Sequence, residues 1–133
     1  MIKAIQIKQF GGPEVLNWCD VELPEMGPTD ALIEHNAIGV NFIDTYHRSG
    51  LYPLDLPAGL GTEAAGVVCK VGSAVEDLEE GDKVAYIGMP IGSYAEQRVF
   101  PADRLVPLPV EIGMETAAAA MLKGLTAWYL LKR

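Results

Sequence analysis

The sequence predicts a mainly β domain with two helices, built as a small barrel or sandwich. Three observations carry that expectation. Six or seven short runs read as strands, with Gly or Pro turns between them. Two stretches, 41–50 and 114–133, break the pattern with helical signals. The chain has 133 residues, half of them hydrophobic, which is one domain of ordinary size with enough apolar surface for a core.

The strands follow in order. IKAIQIK opens the chain, and GGP at 11–13 turns it. In VLNWCDVEL, Asn17, Cys19, Val21 and Leu23 share one face, opposite Trp18, Asp20 and Glu22. PEMGPTD at 24–30 is loop chemistry. In ALIEHNAIGV, Glu34 and Asn36 point opposite to Ile33, His35 and Ala37, the period-2 signature of a half-buried strand. AAGVVCKVG is the next strand, closed by Gly72-Ser73, and KVAYIG, SYAEQRVF and RLVPL are three more.

The first helix is NFIDTYHRSG. Asn41 is a good N-cap, with Asp44 three residues on in nearly a capping box. His47 and Arg48 suit the last turn, and Gly50 supplies the stop. The second helix, 114–133, carries a single charge, Lys123, between Ala117 and Leu131. A helix apolar on nearly every side must be covered on more than one side. A barrel covers one side only. Trp128, Tyr129, Leu130 and Leu131 therefore call for a second subunit or for further chain.

Composition narrows the function classes. Eighteen acids against ten bases give a net charge of −8, which argues against nucleic acid and against an anionic membrane surface. The densest acidic run, Glu76 to Asp82, reads as a solvated turn. No apolar run approaches the roughly 18 residues of a membrane span, and MIKAIQIKQF lacks the apolar core of a signal peptide. Cys19 and Cys69 form no CxxC pair and are too few for a disulfide framework, which fits a reduced, cytoplasmic setting.

Several familiar chemistries fail on spacing. GLGTEAAG holds Gly59, Gly61 and Gly66 as GxGxxxxG and runs into a strand, so it is no dinucleotide fingerprint. His35 and His47 belong to no HExxH or paired-cysteine pattern and read as packing or surface histidines. Ser-His-Asp catalysis lacks a nucleophile elbow, and both cysteines read as packed strand residues. Asn41, Tyr46 and Tyr52 are more suggestive, because a tyrosine offers a flat apolar face and one hydroxyl to a planar ring. The same three residues are equally well read as a helix cap and two packed tyrosines.

Taken together, GGPEVL, AIGVNFIDTYHRSGLYP, GLGTEAAGVV, GDKVAY, GSYAE and AAAAMLKGLTAWYLL resemble the medium-chain dehydrogenase/reductase superfamily. The resemblance is to its zinc-free NADPH:quinone oxidoreductase branch, the zeta-crystallin-like reductases. It covers residues 11–131. It implies a GroES-like, partly closed β-barrel over 1–113. Residues 114–133 would begin a connecting helix toward a cofactor-binding Rossmann domain outside this sequence.

The resemblance also bears on metal. Zinc-dependent alcohol dehydrogenases of the superfamily read GHE where this chain reads Gly61-Thr62-Glu63, and a zinc-binding Cys corresponds to Asn41. The lobe that holds structural zinc is missing between Asp82 and Pro107. Amide and hydroxyl are poor substitutes for thiolate and imidazole, so no zinc is expected. Glu63 is then expected to be structural, paired or hydrogen-bonded near the barrel's inner end.

By the same resemblance, NADPH reduces a quinone without metal, and the protein orients the partners and excludes water. Asn41, Phe42, Ile43, Asp44, Thr45 and Tyr46 would line the nicotinamide side of the cleft. Tyr46 and Tyr52 would face the quinone, with Thr126, Tyr129 and Lys123 on the helix wall near the cofactor. The pyrophosphate-gripping turn is not in this sequence, so these 133 residues alone are expected to bind NADPH weakly and not to turn over. The complete protein is expected to be a homodimer. Two alternatives stand beside this reading: an enone or enoyl-thioester reductase of the same superfamily, and a non-catalytic GroES-like binding module.

Overall fold

The computed structural model describes residues 1–132. Its eight strands form two sheets. β1 (Ile2–Ile7) lies between β2 (Asn17–Val21) and the two-residue β4 (Ala58–Gly59). The larger sheet runs in the order β7 (Gln97–Pro101), β3 (Asp30–Gly39), β5 (Glu63–Val71), β6 (Lys83–Ile87), β8 (Val106–Pro107). All pairings are antiparallel, and an isolated Ala4–Ala95 bridge joins the sheets. The sheets do not close, so the barrel is partial. α1 (Phe42–Ser49) follows β3, and α2 (Met114–Leu131) ends the described chain.

Two expected strands are shorter than their sequence runs. SYAEQRVF contributes only β7, because Ser93 to Glu96 leave the ladder to bond Gly61, Leu60 and Lys3. RLVPL contributes only the two residues of β8, since Ala102 to Arg104 form a 3-10 turn.

The interior of the larger sheet is filled by Ile33, Val68, Val84, Tyr86 and Phe100, all at most 1% exposed. Burying each such side chain stabilises the fold by roughly 1.5–3 kcal/mol. The opposite face of β5 and β6 is also covered. There Ala65 and Ala85 pack against Ala117 and Ala118 of α2. Small residues on both partners let the helix lie close to the sheet. Strands buried on both faces read as continuous apolar runs, which is why AAGVV shows no alternation.

β3 departs from the alternation read from sequence. His35 pairs with Gly66 and Ala37 with Ala65, which leaves Asn36 as an extra residue in the ladder. That bulge reverses the phase of everything after it. Ala37 therefore packs with Ala65 on the α2 side rather than with Ile33 in the interior. The bulge also aims the end of β3, and hence Asn41, at α2.

Beneath the bulge lies a polar network that local sequence gives no sign of. Tyr86 Oη is 2.8 Å from His35 Nε2 and 3.0 Å from Ser93 Oγ. His35 Nδ1 lies 2.7 Å from the Ala95 carbonyl, so Nδ1 carries the proton and Nε2 accepts from Tyr86. Burial pushes the His35 pKa down to about 4, which keeps the ring neutral. Arg98 is buried here, bonded to the Pro90 and Ile91 carbonyls at 3.0 and 3.1 Å, with its guanidinium 4.7 Å from the Phe100 ring centre. Carbonyl dipoles and aromatic faces thus surround that charge.

Candidate active site

α1 starts and stops where its sequence signals lie. Asn41 is extended at φ −130° and caps the helix, and Asp44 Oδ2 accepts from the Asn41 N–H at 2.9 Å. Gly50 ends it in the left-handed region at φ 81°, where a β-carbon would be strained. The expected capping box between Asn41 and Asp44 is present, and the Asn41 side chain has further partners. The Asn41 amide turns toward α2, where Nδ2 donates to Glu63 Oε2 at 2.7 Å and Oδ1 accepts from Lys123 Nζ at 2.8 Å.

Glu63 is the first residue of β5 and is 0% exposed. A buried carboxylate needs its lone pairs filled. Oε2 takes the Asn41 amide and Oε1 takes the Leu122 N–H at 2.7 Å. Lys123 Nζ lies 3.7 Å from Oε2, an ion pair at longer range. The expected pairing and hydrogen bonding of Glu63 are observed. One carboxylate ties the start of β5 to the cap of α1 and the middle of α2. Gly39 is part of this joint, since a β-carbon there would strike the Ala118 carbonyl and the Glu63 carboxylate.

The aromatic candidates lie in a row on and beside α1. The Phe42 and Tyr46 ring centres are 6.3 Å apart, and Tyr46 and Tyr52 meet edge to face at 5.5 Å. Tyr52 also meets the His47 ring at 6.0 Å, and its N–H bonds the Tyr46 carbonyl at 3.2 Å. Phe42 is 80% exposed, and Tyr52 is exposed too. The row thus offers flat apolar faces to whatever lies against it.

The remaining candidates divide. Ile43 is half-buried, and the Thr45 hydroxyl donates back to the Phe42 carbonyl at 2.7 Å. Asp44 is buried, and Oδ2 also accepts from the Tyr94 hydroxyl at 2.7 Å. Burial first, and then this carboxylate, hold the Tyr94 phenol above its usual pKa. Thr126, on α2, spends its hydroxyl on the Leu122 carbonyl at 2.7 Å, and Tyr129 lies one turn further on, half exposed. Direct bonds therefore join Lys123 to Asn41, and ring contacts join Phe42, Tyr46 and Tyr52.

Sequence reading missed Tyr94, which lies fifty residues from Asp44 with no motif between them. It also missed, among the described residues, the buried polar atoms Asp44 Oδ1, His47 Nδ1 and Thr62 Oγ1, which have no protein partner there. Two apolar grooves lie elsewhere. One, of about 420 Å³, runs past Trp18, Ile38 and Val40; another, of about 350 Å³, runs between α2 and Val106–Ile112. Neither is lined by an expected site residue. Among the described residues no three His, Cys, Asp or Glu side chains gather as a metal site, and no helix is long and apolar enough to cross a membrane.

Comparison with known proteins fits this geometry. Residues 27–110 match the alcohol dehydrogenase GroES-like domain. The quinone oxidoreductase of Pseudomonas aeruginosa is 52% identical over all of this chain, which spans 41% of that protein. A 2-haloacrylate reductase from a Burkholderia species is 40% identical over 98% of the chain, again 41% of its own length. The crystal structure of Escherichia coli quinone oxidoreductase complexed with NADPH superposes with a TM-score of 0.95 at 47% identity, covering 98% of this chain and 40% of that one. The chain thus spans about two-fifths of the length of the relatives it matches. It belongs to the alcohol dehydrogenase GroES-like domain family, within the medium-chain dehydrogenase/reductase superfamily.

Proposed function

We propose that this chain is the N-terminal catalytic half of a cytoplasmic, homodimeric NADPH:quinone oxidoreductase that works without metal. Residues 1–113 form its catalytic domain, and 114–133 begin the helix toward a cofactor-binding domain. The observation that carries this reading is the ring row Phe42, Tyr46, Tyr52, exposed at both ends and half-buried at Tyr46, on and beside the helix whose cap residue, Asn41, holds the Lys123 ammonium. A flat, electron-poor ring needs faces to lie against, and these residues supply them. Similarity to quinone oxidoreductases, one complexed with NADPH, supports the choice of substrate and cofactor.

The residues present do not fit zinc. Asn41 Oδ1 already accepts from Lys123, whose positive charge would repel a metal ion, and Thr62 offers only a hydroxyl. They do fit a nicotinamide: Phe42 gives an exposed apolar face, with Ile43, Thr45, Thr126 and Tyr129 on the flanking surfaces. NADPH, when bound, supplies the hydride. Tyr46 and Tyr52 orient the acceptor ring, and the buried Asn41–Glu63 joint keeps both walls of the cleft in register. Asp44 acts from inside, by fixing the Asn41 backbone. The isolated 133 residues are expected to bind NADPH weakly and to be inactive.

Similarity to a 2-haloacrylate reductase favours a second reading, reduction of an activated alkene. Assaying the complete protein with NADPH against 1,4-benzoquinone and 2-chloroacrylate separates the two. Quinone turnover that falls in kcat or rises in KM on Tyr46→Ala and Tyr52→Ala supports the first. Faster turnover of the acrylate would put the second in its place.

A further inference from the structure

We infer that Lys123 is the substrate-binding cation of this site, its ammonium donating a hydrogen bond to a carbonyl oxygen of the acceptor; the inference rests on the quinone reductase reading above. Lys123 is the one charge between Ala117 and Leu131 of an otherwise apolar stretch of α2. Its simplest role would be counter-ion to the buried Glu63. The geometry speaks against that as its whole role. The carboxylate oxygens are filled by uncharged donors, the Asn41 amide and the Leu122 N–H, each at 2.7 Å. Lys123 stays 3.7 Å from Glu63 Oε2 and bonds Asn41 Oδ1 at 2.8 Å instead.

Asn41 thus works as a spacer. Its amide faces the carboxylate with Nδ2 and the ammonium with Oδ1, which fixes its orientation and locates Nζ beside the cap of α1. An ammonium has three N–H donors, and the Asn41 bond uses one. The Lys123 side chain is 56% exposed while Glu63 is 0% exposed. The charge is therefore anchored from below and left open above, at the end of α1 where Phe42 begins the ring row.

A positive, pre-positioned donor beside a ring-binding surface suits a carbonyl oxygen that becomes negative. When the acceptor ring takes up hydride, two electrons and one proton arrive from the reduced nicotinamide, and the negative charge settles on oxygen. Lys123 stabilises that charge, and a proton from water then completes the hydroquinone. No proton need leave the ammonium.

The test uses the complete protein, with benzoquinone kinetics and NADPH affinity measured separately by fluorescence quenching. Lys123→Met is expected to lower kcat/KM for benzoquinone by about 100-fold while the NADPH Kd moves less than about 2-fold. Lys123→Arg should recover part of the loss. Because Lys123→Met alone leaves Glu63 without its cation, the deciding variant is Glu63→Gln with Lys123→Met. In it the new side-chain amide at position 63 can accept from the Leu122 N–H and donate to a flipped Asn41, so the joint is satisfied without charge. If that folded double variant remains about 100-fold impaired, the cation serves the substrate. If its turnover returns to the wild-type level, or the loss lies in the NADPH Kd, the inference is overturned and Lys123 is a counter-ion or a cofactor contact. A wild-type protein inactive with every quinone would overturn the functional reading as well, an outcome distinct from active enzyme indifferent to Lys123.

Discussion

Glu63, at the start of β5, and Leu122, in the middle of α2, are joined by a hydrogen bond of 2.7 Å from the Leu122 N–H to the Glu63 carboxylate. A mid-helix amide turned to a buried side chain makes the helix and the sheet one mechanical unit. Replacing Glu63 with Ala strands the Asn41 amide in the interior and should cost about 3 kcal/mol. Glu63→Gln keeps the shape and should cost about half of that. Urea denaturation of the three proteins checks the order, and an unaffected Glu63→Ala would refute the joint.

Gly39 is expected to be intolerant of any side chain. A β-carbon would meet the Ala118 carbonyl and the Glu63 carboxylate, and neither can retreat, one being helix backbone and the other held by two hydrogen bonds. Gly39→Ala should lose about 3 kcal/mol or more, read as a drop in melting temperature. Wild-type stability in that variant would mean α2 is free to shift.

The neutral His35 makes stability depend on pH. Its ring has a pKa of about 4 in the fold against an ordinary 6.5, so between those values the unfolded chain binds a proton that the folded one does not. This contribution is complete above about pH 6.5 and is lost as pH falls toward 4, by about 3 kcal/mol in all. Urea midpoints from pH 7 to 4 should therefore fall more steeply for wild type than for His35→Gln. Parallel curves would place the titration elsewhere.

Tyr94→Phe removes one of two donors to Asp44 Oδ2 and leaves only the Asn41 N–H. The expected loss is about 2 kcal/mol, because the acceptor is a buried carboxylate. Thermal unfolding measures it directly.

Thr62→Val should act in the other direction. The Thr62 hydroxyl is buried without a protein partner, and valine has nearly its shape. Removing the hydroxyl is expected to raise stability by about 1 kcal/mol. A loss instead would show that the hydroxyl is bonded in solution.

Much of the fold was legible because its signals are local. Asn41, Asp44 and Gly50 mark both ends of α1 by the chemistry of caps, which acts within a few residues. Alternation in IKAIQIK and ALIEHN gave β1 and the first half of β3, and the lone Glu63 among glycines and alanines calls for the hydrogen-bond partners it has. The second half of β3 was misread, because a bulge is decided by what the partner strand can pair with. Asn36 is left over only when Ala37 meets Ala65.

The site shows the same division. Sequence by itself determined which side chains are at hand: an amide cap, a row of rings, one carboxylate and one lysine in apolar surroundings. Only the tertiary structure decided how they are joined, since Asn41, Glu63 and Lys123 lie far apart along the chain and meet where α1, β5 and α2 converge. The reason is physical. Periodicity, caps and turns are set by neighbours within a turn or two. The partner of a buried carboxylate is set by which distant donors the packed core delivers to it, and no local pattern records that.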